Sequence, residues 1–189
     1  MREHLSEYFD TEVRPTFENK DKDPWWDPVE PIIVGTSYLG LRPLTYAMGS
    51  EEVTSKILSS EGKDCQRGFL KAEFDVTDTK GEPVDEDLYA DVEDKNDLLG
   101  KAYNFRMDLK EVSGLPEDLC TNPFVKYQLK YEPNVDHCTN EAQGQNTTHP
   151  LSYKKVHSIP LITDYHTEYF DKSNVAFTIF AYPYYKGSQ

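Results

Sequence analysis

The chain has 189 residues and a formal net charge of −14, and these two values limit the classes of protein to which it can belong. An extended phosphate-binding surface needs clustered Lys and Arg, so the charge argues against a nucleic-acid partner and disfavours contact with anionic membranes. Hydrophobic residues make up 37% of the sequence and aromatic residues 13%, which is enough for one core built largely from Tyr and Phe.

The cysteines are typical of a protein in a reducing compartment. Cys65, Cys120 and Cys138 are odd in number, widely spaced and without a CxxC pair. No apolar run approaches the ~20 residues of a membrane span, and the first residues lack the core of a signal peptide. We therefore expect a cytoplasmic protein with free thiols.

Residues 1–22 predict a short helix followed by a charged linker. Leu5, Phe9 and Val13 recur at helical spacing, but a heptad pattern that starts at Leu5 next reaches Glu12, which is charged. Two interpretations stay open, because isolated helices this short are marginal. The segment is either a frayed end or the last turns of an upstream coiled coil, through which the protein would form a homodimer.

Residues 23–31 predict an extended strap across the domain surface, since three prolines remove backbone donors. Trp25 and Trp26 would anchor this strap by burying a large aromatic area. They either complete the core, which we favour, or form a partner surface. The β-rich run 32–39 that follows should be a buried strand.

Period-2 alternation predicts most of the remaining strands. Residues 67–76 and 103–110 alternate apolar and polar positions, and residues 125–131 repeat the pattern after a Gly-Leu-Pro corner. Pro123 should force Asn122 into an extended conformation. Further strands are predicted at 53–59, from 153 and at 174–183, with a helical turn before the last. Both sides of that last strand are apolar, so it should be either central or covered on both faces. About eight short strands indicate an antiparallel sandwich.

Two polar loops separate these strands. Residues 78–97 are predicted to form an acidic loop with room for one helical turn, and residues 132–152 show no apolar periodicity. An EF-hand counted from Asp85 fails, because Tyr89 and Ala90 stand where the ion needs a ligand and a Gly. We interpret the acids as a solvated surface that can contact a basic partner.

Two stretches resemble the region downstream of the motor and forkhead-associated domains in the kinesin-3 subfamily. The first is DPWWDPVEPIIVGT, from Asp23 to Thr36, followed by a strand pair between Lys56 and Val76. The second is the LLGK string, from Leu98 to Lys101, which resembles the entry to a C2-like domain. The resemblance covers residues 23–183 in order and spacing. It implies an all-β, C2-like antiparallel β-sandwich over 23–189, with an N-terminal Pro/Trp strap and a short N-terminal helix.

The same resemblance implies a non-catalytic tail or stalk module of a microtubule motor in the cytoplasm or a cilium. Such a module would attach cargo or an adaptor, set dimer geometry, or dock on the motor domain to inhibit it. No G-x-x-x-x-G-K-[ST] string occurs, so ATP and magnesium would belong to a motor domain elsewhere and this chain is not expected to be an enzyme. The alternatives are a peripheral lipid-binding C2-like module, with a basic patch of Lys126, Lys130, Lys154 and Lys155, and a non-motor ciliary or centrosomal scaffold.

We assign no catalytic, cofactor-binding or metal-ligating residue from the sequence. Calcium is not expected, because a C2 site needs several converging aspartates and this chain has Asn122 in one loop and an Ala-Tyr-Pro-Tyr string in the other. The histidines show no metal-ligand spacing, and we expect surface or hydrogen-bonded roles for them. The interaction candidates are Trp25, Trp26, Asp85, Glu86, Asp87, Asp91, Glu93, Asp94, Tyr182, Tyr184 and Tyr185.

Overall fold

The structure is a computed structural model, and it describes residues 29–59, 65–84, 89 and 91–184. The predicted N-terminal helix, the linker and most of the strap lie outside the described residues. One compact unit begins at Pro31 and contains all of the strands described below.

Within the described residues, eight strands form one antiparallel sheet. They are β1 (Ile32–Gly40), β2 (Val53–Leu58), β3 (Gln66–Val76), β4 (Tyr103–Ser113), β5 (Thr121–Tyr127), β6 (His137–Cys138), β7 (His149–Ile159) and β8 (Asn174–Tyr182). Their order across the sheet is β6-β5-β8-β1-β2-β3-β4-β7. The sheet curls until side chains of β5 contact side chains of the far edge strand β7. The predicted all-β, antiparallel, sandwich-like fold is confirmed.

The core lies inside this curl, and the predicted alternation accounts for much of it. On β3, Leu70, Ala72 and Phe74 are buried at every second position. On β4, Tyr103 and Phe105 begin the same pattern, and both side chains are fully buried. Burying one large apolar side chain stabilises the fold by roughly 1.5–3 kcal/mol, so these two strands supply much of the driving force.

One α-helix is present in the described part of the chain, α1 (Asp164–Lys172). The sequence predicted a helical turn here, and the structure shows nine residues. The helix begins after Thr163, whose backbone N–H donates to Nδ1 of His166 at 3.2 Å. Its Phe170 packs against Tyr103 and Phe105, with ring centres 6.1 and 5.9 Å apart. The helix therefore covers the aromatic side of the core.

Three local predictions are wrong. The run 32–39 is not buried throughout, because Ile32 and Ile33 at the start of β1 are exposed. The strand predicted to reach residue 131 ends at Tyr127. Asn122 is not extended but has a φ of 44°, in the left-handed region. Its side-chain Oδ1 accepts the Gly144 N–H at 2.8 Å, and its own N–H donates to the Gly144 carbonyl at 2.9 Å.

The polar loop predicted at 132–152 is also more ordered than its composition indicated. It contains β6 and the start of β7. Thr139 is buried, its N–H donates to the Val125 carbonyl at 3.0 Å, and its Oγ1 accepts the Val125 N–H at 3.0 Å. Polar side chains that bond to backbone in this way can hold a segment without apolar periodicity.

The two edges of the sheet differ in form. The edge strand β6 has only two residues, whereas β7 has eleven. Ser152 on β7 has a φ of 48°, and the pairing with β4 shifts register between Leu109 and Glu111.

No helix among the described residues is long and apolar enough to cross a membrane.

Candidate functional site

Several predicted interaction residues fall outside the described residues, and the structure therefore leaves them as predictions. They are Trp25, Trp26, Asp85, Glu86, Asp87 and Tyr185. Of the other candidates, the acids Asp91, Glu93 and Asp94 lie on one loop, and Tyr182 and Tyr184 lie at the end of β8 and just after it.

The described acids sit beside a single 3₁₀ turn, Lys95–Leu98, and are exposed. Asp94 accepts the Asn96 N–H at 2.8 Å, and Asp97 accepts the N–H groups of Asp94 and Glu93 at 2.8 and 3.0 Å. These backbone hydrogen bonds lower the pKa of Asp97 below its usual value. Part of the acidic surface therefore has a structural role, which is to fix the turn that places Leu98 in the core.

The tail tyrosines have two different environments. The Tyr182 hydroxyl donates to Oε1 of Glu141 at 2.7 Å, and this bond raises the pKa of Tyr182. Tyr184 is 42% exposed, and its backbone N–H donates to the Asp118 carbonyl at 2.8 Å. Its side chain lines an open cleft of about 360 Å³ with Glu117, Asp118, Cys120, Gln145 and Thr147. The structure therefore brings two acids of the loop before β5, Glu117 and Asp118, next to Tyr184.

A larger open groove, about 810 Å³ in volume, lies between the end of β5, the turn that follows it, α1 and β8. Its aromatic residues include Tyr165, which is 56% exposed, and Phe180. The rings of Phe124 and Phe180 stack with centres 5.2 Å apart, and Nζ of Lys126 lies 5.1 Å from the centre of the Phe180 ring. Such cation–π contacts contribute about 0.5–1 kcal/mol at exposed sites. We call this surface the aromatic groove.

The basic patch considered from the sequence is divided between two places. Lys126 and Lys130 line the aromatic groove. Lys154 on β7 instead forms an ion pair with the buried Asp108 of β4, with 3.2 Å between Nζ and Oδ2. One of the four lysines is thus engaged in holding the sheet.

Sequence reasoning missed a cluster of polar side chains where the curled sheet closes, which we call the polar seam. It consists of Tyr127 on β5, Glu132 in the following turn, His137 on β6, and Tyr153 and His157 on β7. The Tyr127 hydroxyl lies 3.0 Å from Nε2 of His157 and 3.3 Å from the Tyr153 hydroxyl. The His137 ring stacks on the Tyr127 ring, with centres 4.9 Å apart.

Glu132 connects the two histidines of the seam. Its Oε2 lies 3.0 Å from Nε2 of His137 and 3.8 Å from Nδ1 of His157. One ligand atom from each of these three residues lies within 4.8 Å of the others, and they are the one such group of His, Cys, Asp and Glu found in the described residues. Imidazole and carboxylate are donor types that hold divalent transition metals.

Burial sets the charge of His157. Its side chain is almost fully enclosed, and this desolvation, with smaller contributions from His137 and Lys155, lowers its pKa to about 3. His157 is therefore neutral at pH 7. Burial likewise raises the pKa of Tyr127 far above its usual value, so the hydroxyl keeps its proton.

The seam gave only a weak signal in the sequence. His137 and His157 are twenty positions apart on the two edge strands, so no local spacing connects them. The alternation of β7 does put His157 on the buried side, in phase with Leu151 and Ile159. A histidine at an inward-facing position of a strand is the sequence feature that could have indicated a polar cluster here.

No family model matches the chain. Among curated proteins, the chain is similar to kinesin-like protein KIF28P from Homo sapiens, with 27% identity over 138 residues. The aligned region covers 71% of this chain and 14% of that relative. The chain therefore matches a kinesin-like protein over most of its own length, and spans a small part of the length of the relative.

Proposed function

We propose that this chain is a non-motor module of a kinesin-like microtubule motor and that it acts by binding a protein surface. The observation that carries the proposal is the similarity to a kinesin-like protein over 71% of the chain. The DPWWDP and LLGK segments, which resemble the kinesin-3 tail region, support it. The ATPase would then lie in another part of the protein, since this chain has no P-loop string.

The mechanism we propose is docking of this acidic module on a basic face of its own motor domain. The net charge of −14 favours such a partner, and charges at the rim of an interface raise its association rate. Tyr165 in the aromatic groove offers a large exposed ring. The exposed Asp136 lines the same groove, and the exposed acids Asp164 and Glu168 lie on the same helix as Tyr165. Large aromatic side chains dominate many interfaces, so we place the centre of the contact at Tyr165.

Co-elution with the purified motor domain of the same protein tests this mechanism. We would measure mass by light scattering after chromatography at low and at high salt. The expected result is a complex that weakens as salt rises, because screening reduces attraction between exposed charges. If the chain elutes alone at both salt concentrations, docking on the motor domain is wrong, and a cargo adaptor becomes the partner to search for.

A pair of tyrosine variants locates the surface. Tyr165→Ser should weaken the complex by about 10-fold or more, as expected for a central aromatic contact. Tyr38→Ser is the matched control, because Tyr38 on β1 is 53% exposed and lines no part of the aromatic groove. Equal affinities for the two variants would move the contact away from the groove.

Peripheral lipid binding is a second candidate, favoured by the presence of Lys126 and Lys130 in one groove. Sedimentation with phosphatidylserine-containing vesicles at low salt tests it. Binding lost in a Lys126→Gln, Lys130→Gln double variant would support this function. Failure of the unmodified chain to sediment with the vesicles would exclude it.

A further inference from the structure

The polar seam gathers possible metal ligands from both edges of the sheet. His137 lies on β6 and His157 on β7, the first and last strands in the order across the sheet. Glu132 comes from the turn between β5 and β6. The three side chains meet only because the sheet curls, so any ion held by all three would connect the two edges.

Two of the three distances between ligand atoms are close to those around one zinc ion. Zinc bonds of about 2.0–2.1 Å at tetrahedral angles place two ligand atoms about 3.3 Å apart. The Glu132 oxygen lies 3.0 Å from the His137 nitrogen and 3.8 Å from the His157 nitrogen, so the observed spacings lie on both sides of this value. The 3.8 Å between the Glu132 oxygen and the His157 nitrogen is too long for a hydrogen bond, so these two atoms are not bonded to each other. A shift of a few tenths of an ångström would bring these two contacts to ligand spacing. The ligand atoms of the two histidines lie within 4.8 Å of each other, and a bound ion would draw them closer.

The surroundings of His157 are those of a positioned metal ligand. Its Nδ1 faces Glu132, and its other nitrogen contacts the Tyr127 hydroxyl, which in turn contacts Tyr153. Ligating histidines usually donate their second ring N–H to such a partner, which fixes the tautomer and the direction of the lone pair. Here Nε2–H would donate to the Tyr127 oxygen and leave Nδ1 free to bind an ion.

We propose that Glu132, His137 and His157 bind one zinc ion, which joins edge strand β6 to edge strand β7. Glu132 is about a quarter exposed, so water can reach the fourth position. Two histidines and one carboxylate form a ligand set that zinc uses in proteins. None of the three ligands lines the aromatic groove, although Tyr127 lies beside both sites, and the proposal does not depend on the proposed docking function.

Titration of the chelator-treated chain with zinc chloride tests the proposal. We expect one ion per chain by calorimetry, a higher melting temperature with zinc, and reversal of that increase by EDTA, because a ligand that binds only the folded state stabilises it. Glu132→Gln and His137→Gln should each weaken binding by about 100-fold or more, since even outer-shell changes cost about 10–100-fold. Absence of saturable binding by the unmodified chain overturns the proposal.

Two control variants separate this site from its neighbours. Asp136→Asn makes the same chemical change on an exposed carboxylate of the same turn, and it should leave the affinity within about 2-fold, as for a group outside the ligand set. Cys138→Ser removes the exposed thiol next to His137 and should also preserve binding. Loss of binding in either control, or retention in both Glu132→Gln and His137→Gln, contradicts the assignment.

A spectrum of the unmodified chain gives an answer that does not depend on whether a variant folds. Cobalt bound in place of zinc should give visible bands of a tetrahedral nitrogen and oxygen site. A strong thiolate-to-cobalt band in the near ultraviolet would place the ion on a cysteine and would overturn the proposal.

Discussion

Two ring clusters lie inside the curled sheet, and different forces hold them. The aromatic core of Tyr103, Phe105 and Phe170 packs ring against ring, with centres 5.9–6.5 Å apart. In the polar seam, rings are joined by hydrogen bonds such as the 3.0 Å contact between Tyr127 and His157. The core depends on apolar area and shape, whereas each member of the seam depends on a particular partner. The two clusters should therefore respond differently to the same kind of substitution.

The largest effect should come from removing a ring of the aromatic core. Phe170→Ala should lower the free energy of unfolding by about 3–5 kcal/mol, because the cavity adds to the lost burial. Urea denaturation followed by circular dichroism measures the change. Tyr165→Ala, on the exposed side of the same helix, is the control and should cost about 0.5 kcal/mol or less. Similar losses in the two variants would mean that Phe170 is not part of a packed core.

Removal of a single hydroxyl should distinguish the two clusters. Tyr127→Phe removes the hydroxyl that contacts both Nε2 of His157 and the Tyr153 hydroxyl, and should cost about 2–3 kcal/mol. Tyr103→Phe, in the core, removes one hydrogen bond to the Leu44 carbonyl and should cost about 1 kcal/mol. The same urea experiment measures both variants. A larger loss of stability for Tyr103→Phe than for Tyr127→Phe would contradict the idea that the polar seam depends more on its hydrogen bonds than the aromatic core does.

The smallest effect on stability should come from a substitution in the acidic loop, next to the turn that places Leu98 in the core. Backbone hydrogen bonds lower the pKa of Asp97, so its carboxylate stabilises the fold above its unfolded pKa and loses this effect as pH falls. Asp97→Asn should therefore reduce the decline of stability between about pH 5 and about pH 3. Melting temperature against pH measures it, with Asp91→Asn as the matched control on an exposed carboxylate. Identical profiles for the two variants would show that the turn contributes nothing to acid sensitivity.

The core could be predicted from the sequence because the residues that are buried can be recognised from the alternation within each strand. Every second residue is apolar over 70–76 on β3 and over 103–109 on β4, and the structure buries Leu70, Phe74 and Tyr103 as the alternation requires. The same reasoning failed for Ile32 and Ile33, since an apolar run does not tell which side of a strand will be covered. Asn122 was predicted to be extended from its following proline, and its hydrogen bonds to a residue twenty-two positions away decided otherwise.

The candidate sites were harder to predict because their residues come from distant strands. Glu132, His137 and His157 meet across the closure of the sheet, which depends on curl that no local pattern encodes. The aromatic groove likewise combines β5, α1 and β8. Tyr184 was identified as an interaction candidate from its position near the terminus, and the structure adds the cleft residues beside it, such as Glu117.

The form of the edge strands affects how the chain should behave at high concentration. A long, regular edge strand offers unpaired backbone groups on which strands from other molecules can add. On β7 the proline at position 150 has no N–H, the left-handed Ser152 lies where the pairing with β4 shifts register, and Lys154 and Lys155 are exposed. The opposite edge is only two residues long. We therefore expect neither edge to template aggregation, and fibril growth from the native chain should first require local unfolding.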